Sequence, residues 1–322
     1  MKILFVEPPI EATDREGIQI LRAVGEIKVA SDTSEESLIG EAEDADALIV
    51  RSAKITRRII EGARKLRAIA SLRVGVDNID VKAATERGVF VINPPGANAD
   101  SVADHTFALI LVLARNLLRL DSELRCGNWS VRDMMLPYNI ELQGKTLGVI
   151  GFGAIGRRVS TRAKAFQMKI VAYDPYIPKE RFDAEDVEMV DLETLLSRSD
   201  VVTIHIPLTE ETYHMISEKE LRLMKRTAFL INTSRGGIVD DETLVRALQE
   251  GWIAGAGLDV FEREPIPLGS PLLELRNVVV TPHSAALARE ARARTMVTLA
   301  QDIVRTLSGE APQNLVNRDV RR

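Results

Sequence analysis

A single cysteine, Cys126, stands in 322 residues, so no disulfide can form within the chain. That usage fits a reducing, cytoplasmic setting rather than a disulfide-stapled secreted scaffold. With no histidine near it in sequence, Cys126 reads as structural and not as a nucleophile. Positive charge is not in excess either: the net charge is −5, which gives no reason to expect nucleic acid as a partner. Long apolar runs are missing as well. The most membrane-like segment, 107–113, falls far short of a span. The first apolar run, 3–6, is too short for a secretory leader and closes on Glu7. A soluble globular protein with neither nucleic acid nor membrane as partner is expected.

What is present is 45% hydrophobic and 28% charged residues, in a chain long enough for two domains. Residues 1–98 alternate apolar runs with helical patterns, predicting strands at 3–6, 47–50, 66–70 and 89–92 and helices near 16–24, 35–42, 57–63 and 81–87. Such alternation calls for a parallel sheet covered by helices. Asn93-Pro94-Pro95-Gly96 breaks the rhythm and reads as a boundary. Ser101 to Asp104 then begins a helix with a capping-box-like pairing. Its body, 105–120, is apolar nearly all round and calls for burial. Residues 127–144 are irregular and carry Trp129, Met134, Met135 and Tyr138, which either pack on their own domain or form an arm around a second subunit.

From 146 onward the rhythm resumes, with strands at 147–150, 170–173, 201–206, 228–232, 254–260 and 278–281. Helices are predicted at 157–168, 191–197, 217–223, 241–249 and 285–307, before a polar tail. The second rhythm is flanked by chain on both sides. It therefore reads as an inserted domain, 99–284, with 1–98 and 285–322 completing the other and a cleft between them holding the chemistry.

The second rhythm opens on Gly151-Phe152-Gly153-Ala154-Ile155-Gly156, between an apolar strand and a helix. In that context Gly151 permits a tight turn, Gly153 lets backbone approach a pyrophosphate, and Gly156 lets the helix pack on the strand. The next strand ends in Asp174, 23 positions after the first glycine (174 − 151), about where a ribose-binding acid belongs. Pro175 follows it, not an arginine, which favours NAD over NADP. An ordinary glycine-rich turn is the bland alternative.

Three later loops follow strands of the same domain, at the ends where such sheets hold ligands. They are 232–237 with Arg235, 259–265 with Glu264, and 281–284 with His283. An arginine between a strand end and two glycines can pair with a carboxylate. A histidine supplies a proton at neutral pH, and a neighbouring carboxylate fixes its tautomer and favours its charged form. Singly, each has a plain reading: a surface ion pair, a solvated loop acid, a packed turn histidine. His105, His205 and His214 read as helix interior, strand end and loop surface.

Residues 75–80, 95–106, 151–156, 232–240, 259–265 and 281–283 together resemble the D-isomer-specific 2-hydroxyacid dehydrogenases, over essentially the whole length. The resemblance implies an α/β fold of two Rossmann-like, doubly wound parallel-sheet domains, the nucleotide domain inserted into the substrate domain, and a homodimer. It makes His283 the acid/base, Glu264 its partner and Arg235 the grip on the substrate carboxylate, completed by the amides of Val74 and Gly75. It assigns Ala154, Ile155, Asp174, Ile206, Thr233 and Asp259 to NAD, with Asp259 near the nicotinamide and Ser284 on its edge. Departures are Asp104 where Glu is commoner, Ser284-Ala285-Ala286 after the histidine, and Ser71 where the segment often carries the arginine found here at Arg73.

The expected activity is NAD-dependent interconversion of a small anionic D-2-hydroxy acid and its 2-keto acid. Arg51 and Arg73 suggest an anionic far end, with solvated or ion-paired surface arginines as the bland alternative. Arg51 in Ile-Val-Arg-Ser resembles a phosphate-contacting arginine of the D-3-phosphoglycerate dehydrogenase branch, which is nearest, without its regulatory domain. Glyoxylate or hydroxypyruvate reduction is the alternative within the class. An NADH-sensing, corepressor-like binding protein is the alternative outside it.

Overall fold

The computed structural model describes residues 1–320. It forms two compact units, one from 1–98 with 287–322 and the other from 99–286. The sequence puts the second boundary two residues earlier; Ala285 stays with the second unit, where its amide bonds to the Asp259 carboxylate.

Strands β1 (Lys2–Phe5), β2 (Glu26–Val29), β3 (Ala47–Val50), β4 (Ala68–Ser71) and β5 (Phe90–Ile92) make the first unit's sheet. All its pairings are parallel, in the order β2-β1-β3-β4-β5, a doubly wound arrangement. Alternation along each strand feeds two cores. Leu4, Leu48, Val50, Ile69 and Val91 enter one, and Ile3, Phe5, Ala47, Ile49 and Ala70 the other. Met296, Leu299 and Ile303 of the helix Arg289–Leu307 close the second core. That helix begins four residues later than its pattern predicts, since Ala288 is still extended. Strand β2 is absent from the sequence prediction because it is an exposed edge, Glu-Ile-Lys-Val, with charges where a buried strand would be apolar.

Beside the same helix lies a buried ion pair. Arg292 donates to both oxygens of Asp14, at 2.7 and 2.6 Å, from the helix Glu11–Arg22. Burial alone would raise the Asp14 carboxyl, but the Arg292 guanidinium and the Ile10 amide outweigh it and hold it below the usual carboxylate range.

The second unit's sheet comprises β6 (Thr146–Ile150), β7 (Lys169–Tyr173), β8 (Glu188–Met189), β9 (Val201–Ile204), β10 (Phe229–Asn232), β11 (Gly255–Leu258) and β12 (Val278–Val280). The order is β12-β11-β10-β9-β6-β7-β8, parallel throughout. The chain departs from β6 in one direction and returns on its other side at β9. This places a topological switch point at the end of β6, where such sheets bind ligands. Val201–Ile204 and Phe229–Asn232 are buried at every position, as strands covered on both faces must be.

The helix Ala99–Arg115 presses Phe107, Leu109, Ile110 and Leu113 into the core around β6. It begins at Ala99, so Ser101 lies inside the first turn and is not its cap. It also stops sooner than its apolar run suggests, because Asn116 adopts a left-handed conformation, φ 51°. The following helix, Leu117–Arg125, buries none of its residues. In 127–144, Val131 and Met135 are buried while Trp129, Met134, Leu136 and Tyr138 are exposed. Among the described residues no single helix is long and apolar enough to cross a membrane.

The Asp14–Arg292 pair yields a stability prediction. Arg292→Leu leaves an uncompensated buried carboxylate and is expected to lower unfolding free energy by about 3–5 kcal/mol. Urea denaturation at neutral pH measures it, and a loss below about 1 kcal/mol, the worth of a surface pair, would contradict it.

Candidate active site

Gly151 follows β6 directly with φ +92°, and a Cβ there would lie 2.5 Å from the His205 carbonyl oxygen and 2.7 Å from Ile206 Cγ2. A Cβ at Gly156 would lie 2.1 Å from the Gly151 carbonyl oxygen, so the helix Ala154–Ala165 sits tight on its strand. Gly153 differs: nothing lies within 4 Å of a Cβ built there, and no side chain caps the helix it precedes. Open space and uncapped amides thus meet at one turn, with Ala154 exposed and Ile155 half-buried.

Asp174 follows β7. Its Oδ2 accepts from the Phe152 amide at 2.8 Å and its Oδ1 from the Tyr176 amide at 3.0 Å. The carboxylate ties the glycine turn to the neighbouring strand end, and each oxygen keeps acceptor capacity for a further donor.

After β10, Asn232 organises its own loop, accepting from the Ser234 amide at 3.0 Å and donating to the Arg235 carbonyl at 2.9 Å. Thr233 is buried, 3.1 Å from Thr106 Oγ1. Gly236 is pressed on the Phe261–Glu262 peptide so closely that a Cβ would lie 1.9 Å from the Phe261 carbonyl carbon. The Arg235 loop and the Glu264 loop are therefore fixed against each other.

His283 Nδ1 lies 2.7 Å from Glu264 Oε2, and Glu264 Oε1 accepts from the Phe261 amide at 3.2 Å. An ionised carboxylate can only accept, so Nδ1 carries the hydrogen and Nε2 is the nitrogen outside the pair. His283 itself is left-handed, φ 51°.

Asp259 is fully buried at the end of β11. Its Oδ1 accepts from Thr281 Oγ1 (2.5 Å) and the Ser284 amide (2.8 Å), and its Oδ2 from the Ala285 amide (2.8 Å). Its backbone oxygen accepts from the His283 amide at 2.7 Å. Asp259 and Ser284, assigned above to the cofactor by resemblance, here hold each other and the His283 loop.

The three remaining histidines are less bland than their sequence setting. His105 Nε2 lies 2.9 Å from Thr281 Oγ1. The polar pair His105-Thr106, directly before the apolar run 107–113 of its helix, is the signal that could have marked it. His214 pairs with Glu262 Oε1 beside the stacked Tyr213, and the Glu262 amide donates to Asp241 Oδ2. Burial pushes the Asp241 carboxyl up to about 6. His205 bonds Thr203 Oγ1 at 2.9 Å, and burial pushes its imidazole down to about 3, keeping it neutral.

In the first unit, Arg51 follows β3, and the amides of Arg51, Ser52 and Ala53 donate to the Glu7 carboxylate at 2.8, 2.6 and 2.8 Å. Burial alone would raise Glu7, but these amides outweigh it and hold it low. Arg73, Val74 and Gly75 form the turn after β4, where Ser71 Oγ accepts from the Arg73 amide and donates to its carbonyl. Arg73 and Val74 are exposed.

Residues 107–285 match the family model of the D-isomer specific 2-hydroxyacid dehydrogenase, NAD binding domain. The chain belongs to that family. It is 47% identical over 319 residues to D-3-phosphoglycerate dehydrogenase of Methanocaldococcus jannaschii, covering 98% of this chain but only 59% of that one. It is 50% identical over 292 residues to glyoxylate reductase of Korarchaeum cryptofilum, covering 89% and 87%. D-lactate dehydrogenase of Aquifex aeolicus, solved with NAD and lactic acid, superimposes with a TM-score of 0.86 at 33% identity, covering 98% and 99%. The matched model is the family's NAD-binding domain, and NAD is the cofactor of the 99–286 unit. The glycine turn fits it, since the space a Cβ would fill at Gly153 is open beside free helix amides.

Asp174 leads to a prediction on cofactor choice. A carboxylate at the end of β7 accepts from ribose hydroxyls and repels a 2′-phosphate. NAD is expected to exceed NADP in kcat/KM by about tenfold to a thousandfold, about 1.4 to 4 kcal/mol. Asp174→Ser should narrow the ratio, and equal kcat/KM with the two cofactors in the unaltered protein would refute the assignment.

Proposed function

We propose that the protein interconverts a small anionic D-2-hydroxy acid and its 2-keto acid, and that Arg235, Glu264 and His283 carry the reaction. The observation that supports this most is the 2.7 Å bond of His283 to Glu264, made between two strand-end loops of an NAD-binding domain. NAD, when bound, supplies the hydride chemistry at its nicotinamide. Gly151, Gly153, Ala154, Ile155 and Gly156 hold its pyrophosphate side, Asp174 a ribose, and Ile206, Thr233, Asp259 and Ser284 border the rest. In the reductive direction the Arg235 guanidinium grips the α-carboxylate, with the Val74 and Gly75 amides as further donors, and its charge stabilises the forming alkoxide. His283 Nε2 delivers the proton to that oxygen, while Glu264 holds Nδ1–H and so fixes the ring. In oxidation the same nitrogen takes the proton back.

For the substrate's far end we propose Arg51 and Arg73 as partners of a second anionic group, as on a phosphorylated hydroxy acid. Glyoxylate or hydroxypyruvate reduction is the second reading. It is supported by the 50% identity to a glyoxylate reductase. The protein also fits a homodimer, because Leu117, Leu118, Leu124, Trp129, Met134, Leu136 and Tyr138 expose apolar surface within one stretch of the second unit. A monomer in sedimentation at micromolar concentration would exclude that assembly. The lone Cys126 suits a cytoplasmic location.

His283→Ala, assayed with NADH and the best keto acid from a panel of short, branched, phosphorylated and sulfonated substrates, should lose about two to four orders of magnitude in kcat. NADH affinity should be little changed, and Glu264→Gln should be milder. Near-normal kcat in His283→Ala would remove the histidine from the mechanism and revive the NADH-sensing alternative. Arg51→Ala or Arg73→Ala should raise KM for the best anionic substrate by about tenfold, the equivalent of about 1.4 kcal/mol. Unchanged KM in both, or best turnover of plain aliphatic keto acids, would contradict the far-end assignment.

A further inference from the structure

We propose that His105 is a positioning residue for the His283 loop, acting through Thr281 and the buried Asp259; this rests on the function proposed above. The argument begins with hydrogen accounting. Thr281 Oγ1 lies 2.5 Å from Asp259 Oδ1 and 2.9 Å from His105 Nε2. A hydroxyl has one hydrogen, and an ionised carboxylate can only accept, so Thr281 gives its hydrogen to Asp259. His105 must then donate, from Nε2, into the lone pair of the threonine oxygen. The same nitrogen is 3.6 Å from Asp259 Oδ1, so its N–H dipole also faces the carboxylate.

On its other side Asp259 holds the amides of Ser284 and Ala285, each at 2.8 Å, and through its backbone oxygen the amide of His283 at 2.7 Å. The 281–285 loop therefore hangs on one buried residue. Its central residue needs the support: a left-handed histidine, φ 51°, costs on the order of 1–2 kcal/mol that neighbouring bonds must offset. Without the His105 donor, Thr281 is free to turn its hydroxyl away, and Asp259 loses one of its donors in a dry site. The loop loosens where Nε2 of His283 must be held to within a fraction of an ångström.

The next helix residue reaches the other reacting loop. Thr106 Oγ1 gives its hydrogen to the Val102 carbonyl at 2.8 Å, so Thr233 Oγ1, 3.1 Å away, donates to it. Adjacent residues of the helix Ala99–Arg115 thus steady the loop of His283 and the loop of Arg235.

The experiment uses the full chain with His105→Leu, His105→Gln, Thr281→Val, Thr281→Ser and the His105→Leu/Thr281→Val pair. With NADH and the best keto acid, His105→Leu should lose about tenfold to a hundredfold in kcat with KM for NADH within about threefold, the loss a misplaced group produces. His105→Gln, which retains a side-chain N–H donor, and Thr281→Ser, which retains the hydroxyl, should stay within about threefold of the unaltered protein in kcat. The double variant should be no worse than Thr281→Val alone, because the two act on one bond chain. Hydrogen exchange at the Ser284 and Ala285 amides reads the relay independently of turnover: faster in His105→Leu, unchanged in His105→Gln. Unchanged exchange and kcat in His105→Leu would overturn the relay, as would equal damage from Leu and Gln or multiplied losses in the pair. Absence of keto-acid turnover in the unaltered protein would instead sink the function reading, leaving the exchange result to decide the relay.

Discussion

A carboxylate that can only accept hydrogen bonds fastens nearly every loop that matters in this fold. Glu7 gathers the amides of 51–53, Asp174 those of Phe152 and Tyr176, and Asp259 those of Ser284 and Ala285. Asp302 does the same for Gln313 and Asn314 in the first unit. The need arises from the parallel sheets. Each strand ends with its hydrogen-bonding pattern interrupted, and the chain must turn away across a buried edge where amides have no ladder partner. A buried carboxylate supplies up to four acceptor directions from one side chain, and bonds to a charged acceptor are stronger than neutral ones. Where these bonds hold the folded carboxyl low, as at Glu7 and Asp14, the stability they contribute is present above the unfolded carboxylate range and lost as pH falls through the folded value.

This explains which parts of the fold were legible in the sequence. Strands buried on both faces announce themselves: Ala47–Val50 is a continuous apolar run of strand length, and Val201–Ile204 departs from one only at Thr203. Charged edge strands do not. Glu26–Val29 and Glu188–Met189 are largely exposed and carry charge, and only their pairing with β1 and β7 makes them strands. The break at Asn116 was equally hidden. Apolar residues continue on both sides of it, and nothing local distinguishes Leu113, which is buried, from Leu117 and Leu118, which are not.

The candidate site divides along the same line. The placing of Glu264, His283 and Arg235 was legible because each is a charged or titratable side chain on a loop after a strand, and strand ends share one edge of a parallel sheet. The bond from His283 to Glu264 follows from that topology. The fastening of Asp259 was not legible, because its donors are all backbone amides or hydroxyls of the kind that any loop carries. His105 was harder still. Its helix is recognisable by the apolar run 107–113, and a histidine ahead of that run, after Asp100, Ser101 and Asp104, looks like one more polar residue of the first turns and not like a contact.

The two levels fit together through rigidity. The proton donor and anion grip proposed for His283 and Arg235 lie on separate loops, and they are useful only if those loops keep their spacing while substrate comes and goes. Here the spacing is fixed twice over. Gly236 is wedged on the Phe261–Glu262 peptide, which couples the Arg235 loop to the Glu264 loop without any side chain. The helix Ala99–Arg115 adds Thr106 to one loop and His105 to the other. An arrangement fixed only by backbone contact would tolerate almost any neighbouring side chain, whereas one fixed by donors and acceptors demands particular residues. The pair His105-Thr106 on this helix is what the second kind of fixing requires.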